Sequence, residues 1–341
     1  MKDKVAIFSS KGIGDGMFAL QFAHQWILAG CTATVFHPLV FQLAPLFPHV
    51  QIEKDPAFNE KTAKALLSEY DQIIFIFENS SRQQSWRECA LAHFFGKTWV
   101  INPIASHRKD LSFWDHGRFD GRRSFSENIS VFCKNSLSFS AVSFSQGLVM
   151  EMKPKIVTGS EKVRVAIHPF SSKEEKNWSL KSYLKLAKKL EKQGAEIVWI
   201  GTAEEKMGAG LPPFPLFNHL IELAEFLRGI DLFIGNDSGI GHLSSCLGMP
   251  TVTICRSMRI IQFWQPSWSK SLLIAPLSWV PNFKPFRWRD RNWKSLISVS
   301  RVFRLVKPLL KKSDPDQFGV FDDQSSCSAV EEAHLECCPQ R

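Results

Sequence analysis

Short β-rich runs alternate with longer helical patterns through most of this 341-residue chain, and they do so in two series. Residues 5–9, 32–36, 73–77 and 98–101 form the first, with helical spacing over 17–28 and 60–68 between them. Residues 163–168, 196–201, 232–235 and 251–255 form the second, with a helix expected over 180–192. Such alternation places parallel strands between layers of helix, and two series predict two α/β domains. Between them residues 124–160 are rich in Ser and Phe and only weakly periodic; they are expected to add strands to the first domain and then a linker near 152–160. The expected divisions are 1–155, 156–285, a helix over 286–312 and an acidic tail over 313–341.

The chain's 44% hydrophobic content suffices for two cores of ordinary size. Its charge is uneven. The last 29 residues hold seven acidic residues and only Arg341, so the preceding 312 carry 41 Lys and Arg against 26 Asp and Glu. A body this basic attracts nucleic acid, an anionic membrane surface or a phosphorylated substrate, and charge alone does not choose. Near the end, Trp293, Leu296, Ile297, Val299, Val302, Phe303, Val306, Leu309 and Leu310 fall at helical spacing among Lys294, Arg301, Arg304, Lys307, Lys311 and Lys312. One amphipathic basic helix is expected there, packed on the body or laid on anionic lipid. The tail beyond it is polar and reads as disordered.

Eight cysteines are scattered without Cys-x-x-Cys or paired-His spacing, which reads as reduced thiols in a cytoplasm and not as a zinc site. No apolar run approaches the length of a bilayer span, and the first strand begins too soon after Met1 for a signal peptide. No aromatic-basic repeat supports nucleic acid. Asn236-Asp-Ser-Gly-Ile240 is not the turn of a serine hydrolase.

The stretch Ile234-Gly-Asn-Asp-Ser-Gly-Ile-Gly-His242 is a strand end running into a short helix. Asp237 or Ser238 is placed to cap that helix, Gly239 and Gly241 let a ligand approach its first turn, and Gly248 closes it before Pro250. A helix start of this kind presents unpaired N–H groups and the positive end of the dipole to an anion, so a phosphorylated ligand is expected. Open parallel sheets bind ligands beyond the carboxyl ends of their strands. After the first strand of the first series comes the matching loop, Ser9-Ser-Lys-Gly-Ile-Gly-Asp-Gly16. By itself it is a tight turn with Asp15 as a possible cap, short of the full dinucleotide fingerprint.

Four motifs in order resemble glycosyltransferase family 9, the heptosyltransferases of lipopolysaccharide core assembly. They are Lys11-Gly-Ile-Gly-Asp15; Ile167-His-Pro-Phe-Ser-Ser172 with Lys176-Asn-Trp178; Ile200-Gly-Thr-Ala-Glu-Glu205; and Gly235-Asn-Asp-Ser-Gly-Ile-Gly-His242. The resemblance implies a GT-B architecture, two Rossmann-like parallel-sheet domains facing an interdomain cleft, to which the C-terminal amphipathic helix read from the spacing is added. The first domain would hold the acceptor and the second the nucleotide-sugar. It also implies inversion at the transferred sugar with no cofactor and no metal, ADP-heptose as donor, and an anionic glycolipid acceptor. The place would be the cytoplasm, with peripheral contact at the inner face of a bacterial inner membrane and no nucleic-acid partner. Arg118, Arg122 and Arg123 suit such an acceptor, although the last two also fit a solvated turn.

Carried over by residue, Asp15 is the catalytic base on a loop made by Gly12 and Gly14. Ser171, Ser172, Lys176, Asp237, Ser238, Gly239 and His242 line the donor site, and Glu204 or Glu205 holds the ribose. Each has a structural alternative. Ser171 and Ser172 could cap the helix starting near Ser179, Lys176 could be solvated, Asp237 could orient loops and His242 could be a packing histidine. His168 is expected to be structural. The chain departs from the family pattern at Phe170, where glycine is usual, at Thr253-Ile-Cys-Arg-Ser257, which lacks Phe-Gly, and at Gly16-Met-Phe-Ala-Leu20, which lacks Thr-Pro. A different donor, or a non-catalytic nucleotide-sugar binder, is the alternative those departures leave open.

Overall fold

The computed structural model describes residues 2–76, 80–101, 119–149, 162–208, 210–283 and 287–310. Phe77, Arg118, the 155/156 division with its linker, and the tail from 313 lie outside the described residues. In the first half run β1 (Lys4–Phe8), α1 (Ile13–Leu28), β2 (Thr32–Phe36), β3 (Gln51–Glu53), α2 (Glu60–Ser68), β4 (Gln72–Ile76), α3 (Ser81–His93), β5 (Thr98–Ile101) and α4 (Phe125–Asn135). The second half contains β6 (Arg164–His168), α5 (Leu180–Glu191), β7 (Glu196–Trp199), α6 (Ala203–Gly208), α7 (Leu220–Leu227), β8 (Leu232–Asn236), α8 (Gly239–Cys246), β9 (Thr251–Ile254), α9 (Met258–Trp264) and β10 (Ser271–Ile274). Helices α10 (Trp288–Leu296) and α11 (Val299–Val306) follow, with a 3-10 turn over Lys307–Leu310.

The two series become two five-stranded sheets, ordered β3-β2-β1-β4-β5 and β10-β9-β8-β6-β7, with every pairing parallel. Both are doubly wound α/β sheets. The order reverses between β1 and β4 in the first and between β6 and β8 in the second, and such switch points open a crevice at the carboxyl ends. The central strands are buried along almost their whole length, which is why Val5, Ile7, Ile73, Phe75, Val165, Ile167, Phe233 and Ile234 read as continuous apolar runs. The short edge strands β3 and β10 were not foreseen, because three or four residues carry too little pattern.

Helix α1 joins the halves. It packs against β2 and α4 on its own side and against α8 of the second half, so Met17, Phe18, Leu20, Phe22 and Trp26 are all buried. Each contributes about 1.5–3 kcal/mol by leaving water. One hydrophobic core therefore runs from Val5 and Phe18 of the first half to Phe233, Leu243 and Phe263 of the second. Hydrogen bonds cross beside it: the Trp268 indole N–H donates to Gln21 Oε1 at 3.1 Å, Leu220 N to Gln42 Oε1 at 2.7 Å and Gln262 Nε2 to the Arg122 carbonyl at 2.9 Å.

Two expectations are corrected. The strands expected in 124–160 are replaced, among the described residues, by α4 and irregular chain. Ser124 and Glu127 form a reciprocal capping box, and Phe125, Ile129, Phe132 and Cys133 then fall on one buried face. The single terminal helix is two. Ser298 accepts from Arg301 N and starts α11 afresh after the extended Ile297. The apolar stripe does not face lipid: Trp293, Ile297, Val302 and Val306 are buried in the core of the second half, where α11 packs on α5.

Candidate active site at the two helix starts

Both glycine motifs lie at the carboxyl ends of their sheets, and the structure brings their helices into contact. Gly12 is the extended N-cap of α1, and Ser238 that of α8. A Cβ on Gly14 would lie 2.7 Å from His242 Cδ2, and one on Gly239 would lie 2.7 Å from Ile13 Cβ. Only glycine permits this approach. Asp15, in the first turn of α1, is carried to the edge of the junction, with its Oδ2 close over Gly12.

The expected caps are corrected. Neither Asp237 nor Ser238 closes the start of α8 by a side-chain hydrogen bond. Asp237 instead accepts from Lys176 Nζ at 2.8 Å, with Lys176 44% and Asp237 23% exposed. Gly248, at φ 80°, closes α8 as expected. Ser171 and Ser172 cap nothing: Ser179 caps α5 through Ser182 N, Ser171 Oγ donates to the Lys173 carbonyl and Asn177 Oδ1, and Ser172 is exposed.

His168 is more than a strand end. Its Nδ1 lies 3.3 Å from Ser238 Oγ and its Nε2 3.7 Å from Glu205 Oε2, so it ties β6 to the starts of both α8 and α6. Glu205 turns inward and also accepts from Thr202 N at 2.8 Å, whereas Glu204 is exposed. Burial would raise the Glu205 pKa, yet the hydrogen bonds from His168 and Thr202 outweigh it and hold the carboxyl below its ordinary value. His242 is buried against Phe18 and Trp268, its Nδ1 without a partner. Burial pushes its pKa down to about 4, with Asp237 opposing and Lys176 assisting, so the ring is neutral at pH 7. It packs between the halves.

Asn236 and His37 were missed as site residues. Asn236 is buried where β8 ends. It accepts from Trp178 N and Tyr183 O–H, both at 2.9 Å, and its Nδ2 donates to the Pro169 carbonyl at 2.7 Å. It thus fixes the Lys176 segment to the start of α8, and its place inside the strand-to-helix motif was the available signal. His37 accepts from Leu39 N and Val40 N through Nδ1, so its proton sits on Nε2 and donates to the Gly12 carbonyl at 3.1 Å. Burial pushes its pKa down to about 4 as well. Nothing in the sequence around residue 37 announces that contact. Arg122 and Arg123 pair with Asp120 on a turn. Among the described residues no group of three His, Cys, Asp or Glu side chains is gathered as a metal site would require.

Residues 139–282 match the model of glycosyltransferase family 9 (heptosyltransferase), a segment that begins after α4 and takes in the whole second sheet. The resemblance to family 9 holds. A family 9 glycosyltransferase from Veillonella parvula DSM 2008 superposes with a TM-score of 0.67 at 15% identity, covering 92% of this chain and 99% of that one. The E. coli ADP-heptose heptosyltransferase II gives 0.60 at 18%, covering 91% and 98%, and E. coli heptosyltransferase WaaC with ADP gives 0.59 at 14%, covering 90% and 99%. The chain has their fold, the GT-B pairing of two parallel sheets. No curated protein matches it in sequence. The family match, with this fold, supports a glycosyltransferase.

Proposed function

We propose that the chain is an inverting glycosyltransferase that moves a sugar from a nucleotide-sugar to a glycolipid acceptor, with Asp15 as general base. The observation that carries this is the meeting of two helix starts, one bearing Asp15 and the other, beside Lys176, uncapped by any side chain. The acceptor oxygen attacks the anomeric carbon, its proton passes to the Asp15 carboxylate, and the bond to the leaving diphosphate breaks on the opposite side. Negative charge then grows on the diphosphate. Lys176 and the first N–H groups of α8, with Ser238 and Gly239 between them, meet it there. Ser171 and Ser172 lie on the turn before Lys176. Glu205, turned inward, is the carboxylate for the ribose. Neighbours bound to ADP and ADP-2-deoxy-2-fluoro heptose support ADP-heptose as donor, and a neighbour named as an ADP-heptose lps heptosyltransferase supports a lipopolysaccharide acceptor. The anionic acceptor and a peripheral place on the inner membrane accord with the basic body.

Phe170 favours a second reading of the donor. Its ring stands edge-on to His168 at 6.0 Å, beside Glu205, where glycine is usual in the family, and a different sugar or base would fit that change. The decisive experiment is release of nucleoside diphosphate from ADP-heptose in the presence of a core glycolipid, for Asp15→Asn and the unchanged protein. Loss of a base contributes about 10²–10⁴-fold in turnover, while nucleotide affinity stays within about twofold. Equal turnover in the two proteins would remove Asp15 from the chemistry.

A further inference from the structure

Three of the four most exposed aromatic rings among the described residues lie within ten residues of one another: Trp279 at 76%, Phe283 at 75% and Trp288 at 52%. Leu277 beside them is 42% exposed. The described residues on either side are bonded to one another. Val280 is buried and its N–H donates to the Leu277 carbonyl, while Arg289 Nη1 clamps the Ser278 carbonyl at 2.9 Å and that of Val280 at 3.4 Å. Asp290 N donates to Asn282 Oδ1, and Arg287 N to the Phe283 carbonyl. With Val280 turned inward, its neighbour Trp279 is turned out. Arg287 holds a left-handed conformation at φ 40°, the residue from which α10 departs. Behind the knot, Trp293 is buried and Arg301 donates to the Ala275 carbonyl at 2.7 Å, so the rings stand on a fixed base.

The charge along this segment has one sign. Residues 276–310 hold eight Lys and Arg against the single Asp290, and Arg287, Arg291, Arg304 and Lys307 are exposed. Exposed rings gathered at one place mark an interaction surface. Tryptophan beside arginine is the pairing that settles at the boundary between lipid headgroups and acyl chains, and it gains further from anionic lipid. A second copy of the chain would bring like charge against like. Single-stranded nucleic acid is bound along channels and stacking platforms, whereas these rings project from a turn.

We infer that the knot formed by residues 277–283 and the start of α10 is a membrane-docking surface for anionic lipid, with Trp279, Phe283 and Trp288 entering the interface and Arg287 and Arg291 meeting the headgroups. It is distinct from the amphipathic stripe of the terminal helices, which is spent on the core. The inference deepens the reading of a lipid-borne acceptor and rests on it for its purpose. Its test uses neither donor nor acceptor, so failure of one leaves the other standing.

The full chain is sedimented with vesicles of phosphatidylcholine alone and with phosphatidylglycerol added, at low and high salt. Binding is expected only to the anionic vesicles, and weaker in salt. Trp279→Ala combined with Phe283→Ala and Trp288→Ala should lower it at least tenfold, as should Arg287→Glu with Arg291→Glu. Phe95→Ala, removing a ring 74% exposed elsewhere, should leave it unchanged. Thermal melting checks that each variant is folded, and Trp279→Ala alone serves if the triple variant is not. Absence of binding to anionic vesicles overturns the inference. So does binding that survives loss of the rings, or a loss confined to self-association or to binding of an RNA oligonucleotide.

Discussion

At the scale of single residues the junction is set by atoms that glycine lacks. A methyl group on Gly14 would press at 2.7 Å on the ring of His242, which is held between Phe18 and Trp268 and cannot step aside. Gly14→Ala is therefore expected to cost about 1–3 kcal/mol, as overpacking does, and to lower the urea midpoint along with turnover. Gly12→Ala acts differently. Its methyl group would meet only Asp15 Oδ2, at 2.5 Å, the end of a side chain at the rim of the junction. Stability should hardly change while turnover falls, because the carboxylate must swing from its place over the loop. Transfer assays and urea unfolding on both variants separate the effects; equal loss of stability in the two would refute the distinction. His37 belongs to this scale too, since its Nε2 proton anchors the carbonyl of Gly12 and so the turn carrying Asp15.

At the scale of elements, the Lys176 turn is held from behind by the terminal helices. The Trp293 indole donates to the Glu175 carbonyl, Lys294 Nζ to that of Glu174, and the Trp178 indole to the carbonyls of Lys294 and Ile297. The turn is fixed by its backbone, so the Lys176 side chain is not needed for folding. Its partly exposed pair with Asp237 is worth at most about 1 kcal/mol. Lys176→Ala should therefore leave the thermal midpoint nearly unchanged and weaken binding of a nucleoside diphosphate about 10–100-fold, the loss of one charge-assisted hydrogen bond. Calorimetric titration against a melting curve decides; unaltered affinity would take Lys176 out of the phosphate site. The elements most legible in the sequence were those with strong local pattern: eight strands, α1, α2 and α5 emerge within a few residues of their expected ends. The capping box that makes 125–135 a helix was present in Ser124 and Glu127, but aromatic and Ser-rich composition concealed it. The split of the terminal helix at Ser298 was hidden because its apolar spacing continues across the break. In the site, three of the motifs converge because they follow β1, β6 and β8, the strands at the two switch points, and the fourth follows β7 beside β6. Their partners do not follow from order: the pairing of Lys176 with Asp237 and the choice of Glu205 over Glu204 depend on side-chain direction alone.

At the scale of the whole molecule, two buried neutral histidines sit at or beside the joint between the halves, and they make its stability depend on pH. His37 and His242 each have a folded pKa near 4, against about 6.5 in the unfolded chain. Between these values the unfolded state binds protons that the folded state refuses, so stability rises with pH there and is lost as pH falls from about 6.5 toward 4. From pH 7 to pH 5 each histidine should account for about 2 kcal/mol, which follows from one proton over that window. The loss falls where α1, α8 and the glycine loop meet, so acid should loosen the site as well as the fold. Urea unfolding at pH 7 and pH 5 gives the total. In His242→Asn, which cannot titrate, the difference between the two pH values should shrink by about 2 kcal/mol even though the variant is less stable at both. A difference of unchanged size in His242→Asn would mean that His242 takes up its proton within the folded protein, and that the joint tolerates a charge between Phe18 and Trp268.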